Sequence, residues 1–438
     1  MNEAVLITNG RIWPGPGAEV MPSAGLRIRE GRIDAVGPLQ QGSERIIDAR
    51  GALVMPGLIQ SHVHLCQTLF RGVAEDLPLL PWLRDYIWPL EAAHNEKSIR
   101  ASAQLAVAEM LRGGTTAFMS METVHHTDAA LEEVGASGIM GILCHCLMDE
   151  TGGYPPLAVS IDDSLKFCDG LIRQTLGNDR LRIGVAPRFA LSCSGDNLRA
   201  ATEYARSNGL QLHTHASEQE EEVNLVYRQT GMHNIDYLHS VGLTGPDVGL
   251  AHCVHTQIHE REIMAETQTR VLHCPSANLK LGSGVAPIPE YLDMGLKVSL
   301  GADGAPCNNR LDAFLEMREA ALIQQPRLGP GSLAAVEVVR MATEMGAESL
   351  NLQSEMGTLE PGKRANLIFV DQDTLHALPT SNPATDLVYS HAAADVRLTM
   401  VDGQVLYQDG ELKTIDEEKL RKTVRLEQKA LLERAGLA

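Results

Sequence analysis

Eight short apolar runs, most of them separated by helical stretches, constrain this chain more than any other feature. They lie at 58–64, 116–119, 139–146, 181–189, 210–215, 248–253, 270–274 and 297–303. Short apolar runs bounded by turn residues read as buried strands, and their alternation with helices reads as βα units around a parallel sheet. One helical stretch is 97–112, where Ile99, Ala103, Ala106 and Met110 share a face and Gly113-Gly114 ends the helix. Others are 196–207 and 310–324. Eight such units predict an α/β fold, a (β/α)8 TIM-like barrel, whose chemistry sits at the C-terminal ends of the strands. Those ends carry His62 and His64, Arg188, His213 and His215, His252, His273 and Asp303. An apolar barrel interior has no structural use for so many titratable groups at one rim.

The two ends of the chain have another texture. Val5-Leu-Ile-Thr, the dipeptide Asn9-Gly10 and the run 26–36 read as strands and hairpin turns, and the same pattern returns at 362–371 and 396–407. Residues 1–55 and 361–415 are therefore expected to build one small β-sandwich between them, with the barrel at 56–360 and a charged C-terminal helix within 416–438.

Composition excludes some functions. A formal charge of -19 argues against nucleic-acid or anionic-membrane partners, which need basic patches. No apolar run reaches the roughly 18 residues that span a bilayer. Eight cysteines without C-x-x-C spacing, and no secretory leader, lead us to expect reduced thiols in the cytoplasm. Cys144 and Cys146, flanking His145, read as core.

His62 and His64 are two apart on a strand and so project from one face, where they can grip a metal ion. The plain alternative is a pair of packed histidines, so the further ligands matter. The fifth run offers His213 and His215. His215 is preferred because Glu218 follows three residues later, where a carboxylate can reach a water on the ion without ligating the metal. His213 lies one layer deeper, in core packing or behind the ligands. Asp303, in Leu-Gly-Ala-Asp-Gly, fits as fourth ligand rather than as a helix cap. His252 ends the sixth run, placed to bond the activated water and the tetrahedral intermediate; His255 lies further out.

The chain resembles the amidohydrolase superfamily in its aminohydrolase branch, which includes S-adenosylhomocysteine/5′-deoxyadenosine deaminases, guanine deaminases and s-triazine hydrolases. The resemblance rests on Pro56-Gly-Leu-Ile-Gln-Ser-His-Val-His64, Glu75-Asp-Leu-Pro-Leu-Leu-Pro-Trp-Leu, His215-Ala-Ser-Glu218, Ala251-His-Cys-Val-His, Cys274-Pro-Ser-Ala-Asn-Leu-Lys-Leu-Gly-Ser-Gly284 and Gly301-Ala-Asp-Gly304. It covers essentially the whole chain. It implies one divalent ion on His62, His64, His215 and Asp303, with Glu218 as proton shuttle and His252 as electrostatic partner. The fourth run, Arg182-Ile-Gly-Val-Ala-Pro-Arg-Phe, contains no lysine to carbamylate, which favours a mononuclear site. Three imidazoles and a carboxylate suit Zn2+ first, with Fe2+ or Mn2+ as alternatives.

The implied activity is hydrolytic removal of an exocyclic amino group from a purine-type heterocycle or nucleoside, with release of ammonia. The substrate signals point two ways. Gln67, Arg188 and Phe189 resemble guanine deaminases, where such residues hold the purine by hydrogen bonds and stacking. Trp82 and Glu91 resemble adenosine-type deaminases, in which the glutamate contacts the ribose; those enzymes usually have histidine where Arg188 stands. The alternatives are an s-triazine amino- or chlorohydrolase and a silent homologue acting in assembly; the second would have lost ligands that this chain keeps. A homo-oligomer, dimer or tetramer, acting on a small heterocycle is expected.

Overall fold

The computed structural model describes residues 4–150 and 154–438. Its centre is a ring of parallel strands in the order of the sequence: Leu58–His64, Thr115–Met121, Met140–Leu147, Leu181–Pro187, Gln211–Ala216, Val248–His252 and Arg270–His273, closed by an eighth strand. The eighth strand, expected as one run over 297–303, comes in two pieces. Val298–Leu300 pairs with the seventh strand and Asp303–Gly304 with the first, which completes the barrel. The break has a steric cause. A Cβ on Gly301 would stand 2.5 Å from the His62 carbonyl oxygen and 2.7 Å from its nitrogen, so the eighth strand crosses directly against the first histidine.

Helices surround the ring. Glu96–Arg112 begins at Asn95, whose side chain accepts a hydrogen bond from Ser98 N at 3.0 Å, and it ends at Gly113. The last barrel helix runs over Ala313–Leu328 instead of starting at 310. Asp312 Oδ1 caps the backbone nitrogens of Phe314 and Leu315, which sets the start three residues later.

The chain ends join in one sheet with its own small core. Strand Leu53–Pro56 pairs in parallel with Val5–Ile12 and antiparallel with Leu367–Val370, so the two halves of the sheet meet there. The same strand leads straight into Leu58–His64, so the sheet anchors the barrel strand that carries the histidine pair. The C-terminal helix, Glu417–Ala435, packs on Glu96–Arg112 and is tied to it by Arg112 and Glu417 at 2.6 Å. No helix among the described residues is long and apolar enough to cross a membrane.

Candidate metal centre and active site

Strands one, five and eight bring His62, His64, His215 and Asp303 together, one ligand atom of each lying within 4.8 Å of the others. The hydrogen bonds behind these side chains set their tautomers. His64 Nδ1 donates to the Met121 carbonyl at 2.8 Å, and His215 Nδ1 donates to the Arg188 carbonyl at 2.7 Å. Each ring therefore turns an unprotonated Nε2 inward, and these two atoms face each other at 3.3 Å. Asp303 Oδ1 lies 3.2 Å from the Nε2 atoms of both His62 and His64. Lone pairs and a carboxylate pointed at one space repel unless a cation lies between them, so this donor set fits a divalent metal ion.

The electrostatics agree. Burial drives His62 down to about 4, and burial with the neighbouring imidazoles holds His213 and His215 well below the usual histidine range. Neutral rings are the ligating form. Burial works against the Asp303 carboxylate, but His62 and His64 beside it hold its carboxyl well below the ordinary value. His213, the deeper histidine of strand five, stands behind the site: its Nε2 is 2.7 Å from His62 Nδ1, so it orients that ring.

Glu218 follows strand five after Ser217, a residue with φ of +51°. Its backbone N–H donates to Glu222 Oε2 at 2.8 Å, the same oxygen that accepts Gln219 N in the capping box that opens helix Glu220–Thr230. The carboxyl is buried, and Oε1 has no hydrogen-bond partner among the described residues. Burial, reinforced by Asp303 and Glu222, raises it well above the usual carboxyl range. His252 donates from Nδ1 to Asn278 Oδ1 at 2.8 Å, which leaves its Nε2 at 3.5 Å from Glu218 and 3.9 Å from Asp303. His252 and Asp303 both hold left-handed backbone, φ +73° and +61°. Such strain persists only where the surroundings over-determine it, and it clusters at functional sites.

A narrow pocket adjoins this cluster, walled by Trp82, Leu83, Phe189 and Leu281, with Gln67 and Arg188 as polar members. Gln67 Oε1 and Trp82 Nε1 have no partner among the described residues. Glu91 is not on the wall. It is fully buried behind it, accepting Gln67 Nε2 at 2.8 Å on one oxygen and pairing with Arg188 Nη1 at 2.5 Å through the other. Burial opposes both charges, but each charge outweighs it for the other, lowering Glu91 and raising Arg188.

Residues 53–406 match the model of the amidohydrolase family. The chain belongs to that family. A 5′-deoxyadenosine deaminase of Methanothermobacter thermautotrophicus is 39% identical over 428 residues, covering 95% of this chain and 96% of the relative. Among solved structures, this amidohydrolase is similar to an adenosine deaminase from Xanthomonas campestris with bound zinc, at TM-score 0.92 and 29% identity over 98% of both chains. It is also similar to the zinc-complexed atrazine chlorohydrolase of Arthrobacter aurescens TC1, at TM-score 0.91 and 26% identity over 97% of this chain and 100% of that one.

Other residues singled out from sequence fall outside the cluster. His255 Nε2 accompanies the Ser283 carbonyl at 2.7 Å in the loop beyond strand six. His273 is buried at the end of strand seven, away from the four ligand atoms. Glu75 and Lys280, from two of the sequence motifs, pair at 2.7 Å and so join the loop after strand one to the one after strand seven. Asn278 lies in the Cys274–Gly284 motif without being singled out there, and Glu222 was detectable as position N3 of a capping box.

Proposed function

We propose that this chain is a metal-dependent hydrolytic deaminase that removes the exocyclic amino group of a purine nucleoside of the 5′-deoxyadenosine type. The observation that carries the reading is the buried Glu218, with Oε1 met by no described residue, beside the His62, His64, His215 and Asp303 cage and opening on a flat-walled pocket. The cation those four would hold, zinc first by donor type, supplies Lewis acidity that lowers the pKa of a water from about 15.7 toward roughly 7.

The side chains do the rest. Asp303 takes a proton from the attacking water as its oxygen bonds to the ring carbon, and Glu218 delivers the proton on Oε1 to the adjacent ring nitrogen. His252, fixed by Asn278, faces the oxygen on which charge develops. The carbon–nitrogen bond then breaks: the proton on Asp303 leaves with the amine as ammonia, and the hydroxyl proton returns to Glu218 as the oxygen becomes the product carbonyl. Phe189 and Trp82 offer flat faces to the heterocycle, and Trp82 Nε1 and Gln67 Oε1 offer a donor and an acceptor for its edge. Arg188 and Gln67 are held at the wall by Glu91, which acts through them rather than on substrate.

The nucleoside reading is supported by the 39% identical relative named for 5′-deoxyadenosine. A triazine hydrolase is the second reading, supported by the likeness to the atrazine enzyme. A panel of 5′-deoxyadenosine, adenosine, guanine, melamine and atrazine, followed by ultraviolet absorbance and ammonia release, decides between them. Turnover confined to triazines overturns the first reading, and none on any member overturns both. Elemental analysis of purified protein should find close to one zinc per chain, and His62→Ala should lose ion and activity together. Eight free, buried cysteines support a reducing compartment, the cytoplasm, and sedimentation tests the expected dimer or tetramer.

A further inference from the structure

The break in strand eight leaves the Ala302 peptide without a strand partner, one residue before the carboxylate ligand. Two side-chain amides meet its polar groups instead. Ala302 N donates to Gln60 Oε1 at 3.2 Å, and Asn308 Nδ2 donates to the Ala302 carbonyl at 2.7 Å. Both amides are themselves anchored. Asn308 Nδ2 also donates to Glu316 Oε1 at 2.8 Å, and Glu316 Oε2 accepts Ser276 N at 3.2 Å from the short helix Pro275–Lys280 after strand seven. Gln60 Nε2 donates to Thr115 Oγ1 and to the Leu311 carbonyl, each at 3.1 Å. All three side chains are buried, Asn308 at 9% and the other two at 1% exposure.

The next residue, Asp303, is the one that needs holding. A non-glycine residue at φ +61° lies in a sparsely populated region and persists only where its surroundings hold it. Its own Oδ1 accepts Gly304 N at 2.8 Å, which orients the carboxylate but does not fix the peptide before it. The Ala302 N–H and carbonyl lie on the peptide planes either side of the Ala302 Cα, so holding both fixes φ and ψ of Ala302 and orients the plane that leads into Asp303. Groups that orient a metal ligand from behind are worth tenfold or more in affinity although they never touch the ion.

We propose that Asn308, braced by Glu316 and working against Gln60 across the Ala302 peptide, is a positioning residue that keeps Asp303 aimed at His62 and His64. It acts on the ion cage and holds whichever heterocycle is turned over.

The test uses the full-length, ion-loaded protein and three variants: Asn308→Ala, Glu316→Gln and Gln324→Ala. Gln324 is the control, a fully buried amide that donates to the Ala286 carbonyl at 3.0 Å, remote from the cage. Ion affinity is read by competition with a chromophoric chelator, with no substrate present, so the outcome is independent of the deaminase reading. Asn308→Ala should hold zinc about tenfold or more less tightly. On the substrate the panel selects, its kcat should fall about tenfold or more while KM stays within about threefold. Glu316→Gln, which keeps one acceptor for Asn308, should show the same change to a smaller degree. Gln324→Ala should lower Tm comparably yet keep ion affinity and kcat. Equal zinc affinity in Asn308→Ala and wild type, or a loss no larger than in Gln324→Ala, overturns the proposal. If Asn308→Ala does not fold, unchanged affinity and kcat in Glu316→Gln overturn it instead.

Discussion

Glu218 and Glu91 are both fully buried carboxyls near one cavity, and their neighbours separate their tasks. Glu218 has an oxygen that no described residue meets, and burial with Asp303 and Glu222 raises its carboxyl well above the usual range, which favours giving a proton to a ring nitrogen. Glu218→Gln should keep the ion and cut kcat about 10²–10⁴-fold, measured by ammonia release against zinc content. Glu91 has Arg188 and Gln67 and stays ionised. Arg188→Ala leaves that carboxylate buried and unpaired, so it should lose about 3–5 kcal/mol of stability as well as raise KM. Thermal unfolding separates the two effects: Arg188→Ala in a Glu91→Gln background should lose much less. Gln67 with Arg188 and Trp82 with Glu91 point to different substrate groups in the sequence, yet in the folded protein Gln67, Arg188 and Glu91 form one hydrogen-bonded unit.

At the scale of elements, strand eight decides the site. Its approach to His62 admits no side chain at Gly301, and the break that follows turns Asp303 toward the cage. Gly301→Ala should push strands one and eight apart and lower zinc content and Tm together. A variant with normal zinc and Tm would show that the barrel accommodates a methyl group there. The glycine and the aspartate were both readable in Leu-Gly-Ala-Asp-Gly. That the strand would break between them was not, because a strand interruption depends on what lies across from it.

For the whole molecule, buried histidines shape the acid side of the stability curve. Burial lowers His94 to about 4 and His145 and His273 to about 3, so all three are neutral when folded and take protons when unfolded below pH about 6.5. Stability is therefore lost as pH falls from about 6.5 toward 4. Glu122 and Glu316, raised by burial to about 7, work in the opposite sense, since they hold protons when folded that the unfolded chain releases above pH about 4.5. Among these five groups, the three histidines outnumber the two carboxyls, so together they contribute a decline below pH 6. His145 lies outside the cage, bonded to Thr127 Oγ1 at 2.9 Å. Replacing it with glutamine should flatten the decline in unfolding free energy between pH 6.5 and 4.5, by up to about 1.4 kcal/mol per pH unit, measured by denaturant unfolding. A pH profile parallel to wild type would remove His145 from that account.

The sequence alone determined the eight βα units, the joining of the chain ends in one sheet, and the residues whose ligand atoms meet: His62, His64, His215 and Asp303. Each depends on a local pattern, such as period two along a strand or a polar residue closing an apolar run, and local patterns survive without knowledge of distant neighbours. Tertiary structure alone decided that Glu91 stands behind the cavity wall, that His213 orients His62, and that Gln60 and Asn308 clamp the Ala302 peptide. Apart from Asn308, six positions after Ala302, those relations join residues tens to hundreds of positions apart, and only the closing of the barrel brings their hydrogen-bonding atoms within reach.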